Sequence, residues 1–148
     1  RVSFEFRNFV RDPLDMTVAL LTRCGPPESF FGLTHAAFAN QAAMFDRLKA
    51  AGDPAYAAAM ARPAGERLGA LAELAGLYDF FAANGLPREK ARACLADPAA
   101  SATLARLTET AEQDKGIDST PTLFVNGDKL DTPLWADTRA RIEALGAR

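Results

Sequence analysis

The sequence predicts an α/β fold in which a split sheet is interrupted by an all-helical insertion, in the order βα…αββα. Three observations predict it. Val2-Ser3-Phe4-Glu5-Phe6-Arg7-Asn8-Phe9 reads as an opening strand. A long alanine-rich middle follows, cut into helices by Asp-Pro starts and glycine stops. Last comes Gly116-Ile117-Asp118-Ser119-Thr120-Pro121-Thr122-Leu123-Phe124-Val125-Asn126-Gly127: a helix-ending glycine, a Thr-Pro step, a β-rich run and an Asn-Gly turn.

The elements follow in order. Asp12-Pro13 is an N-cap with proline at the first helical position, and Leu14, Val18 and Leu21 then share a face up to Cys24-Gly25-Pro26-Pro27. Ser29 caps a second, longer helix carrying Phe30, Leu33, Phe38, Phe45 and Leu48 and stopped near Gly52. Asp53-Pro54 begins a short helix through about Arg62. Another runs from about Ala64 to Gly76, with Leu68, Leu71, Leu74 and Ala75 toward the core. Gly85-Leu86-Pro87 separates it from a helix containing Cys94. Asp97-Pro98 repeats the cap-and-proline start for a helix ending at Gly116. Pro121, lacking an N–H, belongs at the first position of the next strand. Asn126-Gly127 supplies the positive φ angles of a tight hairpin, with Lys129 and Leu130 opening the return strand. Thr132-Pro133 opens the closing helix, with Leu134, Trp135, Ile142 and Leu145 as its buried candidates.

Gly116-Ile117, the Asp118-Ser119 pair, Thr120-Pro121, the strand 122–125 and Asn126-Gly127 together resemble the cis-proline loop of thioredoxin-fold proteins. The whole chain is similar to the DsbA-like thiol–disulfide oxidoreductases, and Val2–Phe9 resembles that family's second strand. The resemblance implies a thioredoxin-like mixed sheet with elements at 2–7, 122–125 and about 129–131. It places the thioredoxin-like part at 1–12 and 116–148 and the inserted helical domain at 13–115. It also implies a cis peptide before Pro121. The chain departs from the family in having no Cys-x-x-Cys and no first strand. Arg1, with no Met or signal peptide before it, leads straight into a strand, so the redox pair is expected upstream of Arg1. Residues 2–7 and 122–125 would otherwise carry long sheet edges, which folded proteins avoid.

At 148 residues and 49% hydrophobic the chain can bury a sizeable core. A net charge of −2 provides no electrostatic footprint for nucleic acid or an anionic membrane. No apolar run approaches a membrane span. No Gly-rich phosphate loop, nucleophile elbow or metal-ligand spacing occurs, so neither a cofactor nor a metal is expected.

The single histidine, His35, lies on an amphipathic helix between Phe31 and Phe38 and reads as a structural or surface residue. The charges at Glu66-Arg67, Glu109–Lys115 and Arg139–Glu143 read as solvated helix faces. Phe30-Phe31 and Phe80-Phe81 read as core, with a peptide groove as the alternative. Taken alone, Cys24 and Cys94 are compatible with two buried free thiols. The family resemblance instead implies an exported, oxidising setting and a structural disulfide between them, worth about 4 kcal/mol by loop-closure entropy.

The activity implied is disulfide oxidation or isomerisation on exported proteins in the periplasm or another exported compartment. A thiolate at a helix N-terminus upstream of Arg1 would carry the exchange, and Ser119, Thr120 and Pro121 would form the other wall of the site. Thr120 would offer its backbone to an extended substrate strand, and Pro121 would pack against the redox disulfide. The partners implied are unfolded or partly folded exported proteins and a membrane enzyme that resets the redox state. Two readings compete: a glutathione-dependent isomerase or kappa-type transferase, whose families usually carry Val-Pro at this step, and a redox-inactive peptide-binding or chaperone module. On this reading the chain alone, without the redox pair, is inactive.

Overall fold

The computed structural model describes residues 2–146. Two compact units form among them, one from residues 10–106 and one from residues 2–9 with 107–146.

The unit at 10–106 is helical. Helix α1 (Pro13–Arg23) starts where Asp12 predicts it, the Asp12 carboxylate accepting from the Asp15 N–H at 2.9 Å. Its face of Thr17, Leu20 and Leu21 turns inward, with Leu14 and Val18 partly buried beside it. A 3-10 turn at Pro27–Ser29 leads into α2 (Phe30–Ala39), and α3 (Gln41–Ala51) follows. The single long helix expected here is therefore two. Asn40, a poor helix-interior residue, leaves helical geometry at φ −94°, ψ 3° and separates them. Ser29 makes no side-chain cap: its backbone is already helical, at φ −81°, ψ −15°, where a capping residue is extended, and its hydroxyl donates to the Pro26 carbonyl at 2.7 Å. Phe38 and Phe45 are exposed.

Helix α4 spans Asp53–Met60 and α5 spans Ala64–Leu74. A short helix unmarked by proline, α6 (Leu77–Ala83), begins after Gly76 and buries Leu77, Tyr78 and Phe81. Helix α7 (Arg88–Leu95) carries Cys94. The core gathers around α5, which packs against α1, α4, α6 and α7. Leu21, Leu71, Leu77 and Phe81 are fully buried there. Each such side chain contributes about 1.5–3 kcal/mol through removal from water. Phe80 and Phe81 meet edge to face at 5.2 Å, so this pair is core rather than groove. Helix α8 (Pro98–Lys115) opens with Asp97 accepting from the Ala99 and Ala100 N–H groups.

In the other unit, β1 (Phe124–Val125) and β2 (Asp128–Lys129) form an antiparallel pair with Phe124 opposite Lys129 and Val125 opposite Asp128. Among the described residues this hairpin is the whole sheet, so the ladder is smaller than the mixed sheet expected. Residues 2–9 form neither a helix nor a regular strand. Composition can favour an extended run, but a strand exists only with a ladder alongside it. Helix α9 (Trp135–Ala144) begins two residues after Pro133 and contacts β1. Its inward face carries Thr138, while Leu134, Trp135 and Leu145 are exposed, contrary to expectation. A two-stranded hairpin is too narrow a surface to cover four apolar positions on a helix.

Candidate functional site

The loop between α8 and β1 is built from its ends inward. Helix α8 closes with Gly116 at φ 59°, a left-handed conformation that glycine adopts without a Cβ clash. The chain folds back there, and the Ile117 N–H donates to the Ala111 carbonyl at 3.1 Å. The Gly116 carbonyl accepts from Lys129 Nζ at 3.1 Å, so the return strand of the hairpin holds the helix end. At the far end Asn126 and Gly127 take φ 52° and 92°, the paired positive angles of a two-residue type I′ turn. That turn sets the register, which is why β2 begins at Asp128 rather than Lys129. The Leu130 N–H still donates to the Leu123 carbonyl at 2.9 Å, one pair beyond the assigned strands.

Between these anchors lie Ser119, Thr120 and Pro121, consecutive and exposed, with a cis peptide between Thr120 and Pro121. Pro121 precedes the ladder by three residues instead of opening it. The intervening Thr122 belongs to the loop, its hydroxyl donating to the Ser119 carbonyl at 2.6 Å. The Ser119 hydroxyl donates to the Asp118 carboxylate at 3.1 Å. Among the described residues, the Thr120 N–H and C=O make no hydrogen bond. An exposed stretch with both backbone groups open is suited to an extended polypeptide, which needs one donor and one acceptor at alternate positions. Lys129 and Asp118 escaped the sequence reading. Lys129 could have been found from its place after the Asn-Gly turn, where a long cation reaches back to the preceding helix's carbonyl end.

In the helical unit Cys24 and Cys94 are joined by a disulfide, with Cα atoms 6.0 Å apart. It links the C-terminal end of α1 to the last turn of α7. Among the described residues there is no free cysteine and no cluster of three or more His, Cys, Asp or Glu placed to hold a metal. None of their helices is long and apolar enough to cross a membrane. His35 sits on the exposed side of α2. Phe30 and Phe31 meet edge to face at 5.2 Å, with Phe31 exposed.

A thioredoxin family model matches residues 1–144. Among solved structures, a protein-disulfide isomerase from Novosphingobium aromaticivorans superposes with a TM-score of 0.83 at 38% sequence identity. The match covers 94% of this chain and 71% of that one. No curated protein matches.

Proposed function

This chain belongs to the thioredoxin family and has the thioredoxin-like fold, and from that premise we propose that it takes part in thiol–disulfide exchange on exported proteins. The observation that carries the proposal is the exposed Ser119–Thr120–Pro121 loop, whose Thr120 N–H and C=O are open to an extended chain. The likeness to a protein-disulfide isomerase supplies the chemistry.

In this reading the redox Cys-x-x-Cys lies in the segment encoded upstream of Arg1, because both cysteines of this chain are committed to the Cys24–Cys94 disulfide. When the protein acts as oxidant, a substrate thiolate attacks one sulfur of the Cys-x-x-Cys disulfide. One protein–substrate S–S bond forms, and the other cysteine leaves as a thiolate. A second substrate thiolate then attacks the mixed disulfide, leaving the substrate oxidised and the pair reduced. Thr120 pairs with the substrate backbone during the mixed-disulfide stage, and Pro121 faces the sulfurs without offering a competing N–H. The partners are reduced or misbridged exported polypeptides and a membrane enzyme that reoxidises the pair. The Cys24–Cys94 bond favours an oxidising compartment such as the periplasm.

The test is the oxidation of a reduced dithiol peptide by the full protein, including the segment encoded before Arg1. Stoichiometric transfer of one disulfide supports the proposal, and an unchanged peptide overturns it. The upstream segment separates the competing readings. A Cys-x-x-Cys after an apolar strand selects the oxidoreductase, a serine in that position selects the transferase class, and neither selects a peptide-binding module.

A further inference from the structure

A cleft of about 220 Å³ opens in the helical unit between α5, α6 and the end of α7, and the proposed exchange makes no use of it. Arg62, Glu66, Gly69, Tyr78, Arg92 and Leu95 line it. Tyr78 is the informative member. The residue is 3% exposed overall, and its hydroxyl, which has no hydrogen-bond partner among the described residues, is left open to the cleft. The Tyr78 oxygen reaches α5 at Gly69, where an alanine Cβ would stand 3.1 Å from it, so glycine at 69 keeps the space beside the hydroxyl open.

The charges around that hydroxyl select the ligand. Arg92 lies over the Tyr78 ring at 4.7 Å and gives one nitrogen to Glu73 at 2.9 Å. A guanidinium has five N–H donors, so Arg92 keeps others for a ligand. Arg62 stands 3.7 Å from Glu66. Two cations and one carboxylate line the cleft, and the Tyr78 phenol, neutral at ordinary pH, adds an uncharged donor. Leu95 supplies apolar wall. Pockets for drug-sized ligands run to about 300–1,000 Å³, so this one suits a smaller molecule or a chain end.

We propose that this cleft binds a carboxylate borne on a short apolar group, with the Tyr78 hydroxyl and the Arg92 guanidinium as donors and Arg62 at the side. The carboxylate belongs either to a free short-chain acid or to the C-terminus of a polypeptide. The proposal is independent of the exchange reaction.

Amide shifts of the ¹⁵N-labelled protein report binding. It is titrated with butyrate, with N-acetyl-Ala-Leu bearing a free carboxylate, and with the same dipeptide as its amide. Saturable shifts at Gly65, Gly69 and Leu95 are expected with at least one of the two acids and not with the amide. Tighter butyrate binding identifies a free acid, and tighter dipeptide binding identifies a chain end. Tyr78→Phe is expected to weaken binding about tenfold, the loss of one buried hydrogen bond. Should Tyr78→Phe not fold, Arg62→Gln, at an exposed side chain, is expected to weaken binding in the same direction. The proposal is overturned if neither acid gives saturable shifts, if the amide binds as well as the acid, or if the folded variants bind as wild type does.

Discussion

Lys129 Nζ donates to the carbonyl of Gly116 at 3.1 Å, tying the second strand of the hairpin to the last turn of α8. The bond closes the base of a loop that contains Ser119, Thr120 and Pro121. Lys129→Met keeps the aliphatic stem and removes the donor. Being exposed, the bond is worth at most about 1 kcal/mol. The expected outcome is faster hydrogen exchange at Ile117 and Leu130 with little change in global stability. Unchanged exchange at both amides would show that the backbone alone sets the loop.

The Cys24–Cys94 disulfide closes a loop across most of the helical unit. The Cys24→Ser, Cys94→Ser double variant is expected to lose about 2–4 kcal/mol in denaturant unfolding, and wild type in reductant should fall by the same amount. Equal stability in oxidised and reduced protein would remove the structural role assigned to this bond.

Phe81 is fully buried and packs edge to face with Phe80. Phe81→Ala deletes a ring from the centre of the core and is expected to cost about 3–5 kcal/mol, read from the shift of the urea midpoint. A loss below 1 kcal/mol would mean that the neighbouring helices close the cavity fully.

Asp12 and Tyr78 mark the two ends of what the sequence makes legible. The Asp12 cap, the Asp97 cap and the Asn126-Gly127 turn each act within three or four residues, so the local sequence contains their whole cause. Helix α6 and the break at Asn40 lack such markers, and packing around Leu77, Tyr78 and Phe81 decides the first of them. The extended run at 2–9 and the buried face of α9 depend on what lies alongside, which composition cannot specify. Within the candidate site, Ser119, Thr120 and Pro121 were legible because their order is a motif. Lys129 acts across thirteen residues and Tyr78 across two helices, so neither was.

Tyr78 also predicts a pH dependence. Burial raises its pKa above the ordinary value near 10, a shift opposed by Arg92 and Arg88. The folded state therefore holds the phenolic proton more tightly than the unfolded chain. Its contribution to stability is complete below pH 10 and is lost as pH rises through the folded pKa. The difference in unfolding free energy between wild type and Tyr78→Phe should be constant at neutral pH and should shift against wild type above pH 10. A pH-independent difference would contradict the burial of this group.

The central claim is that Thr120 receives a substrate backbone during exchange. Hydrogen exchange at the Thr120 amide, measured in the full protein free and as a trapped mixed disulfide with an extended cysteine peptide, tests it most directly. An exposed, fast-exchanging amide is expected in the free protein and clear protection in the complex. Equal exchange in both states would contradict it.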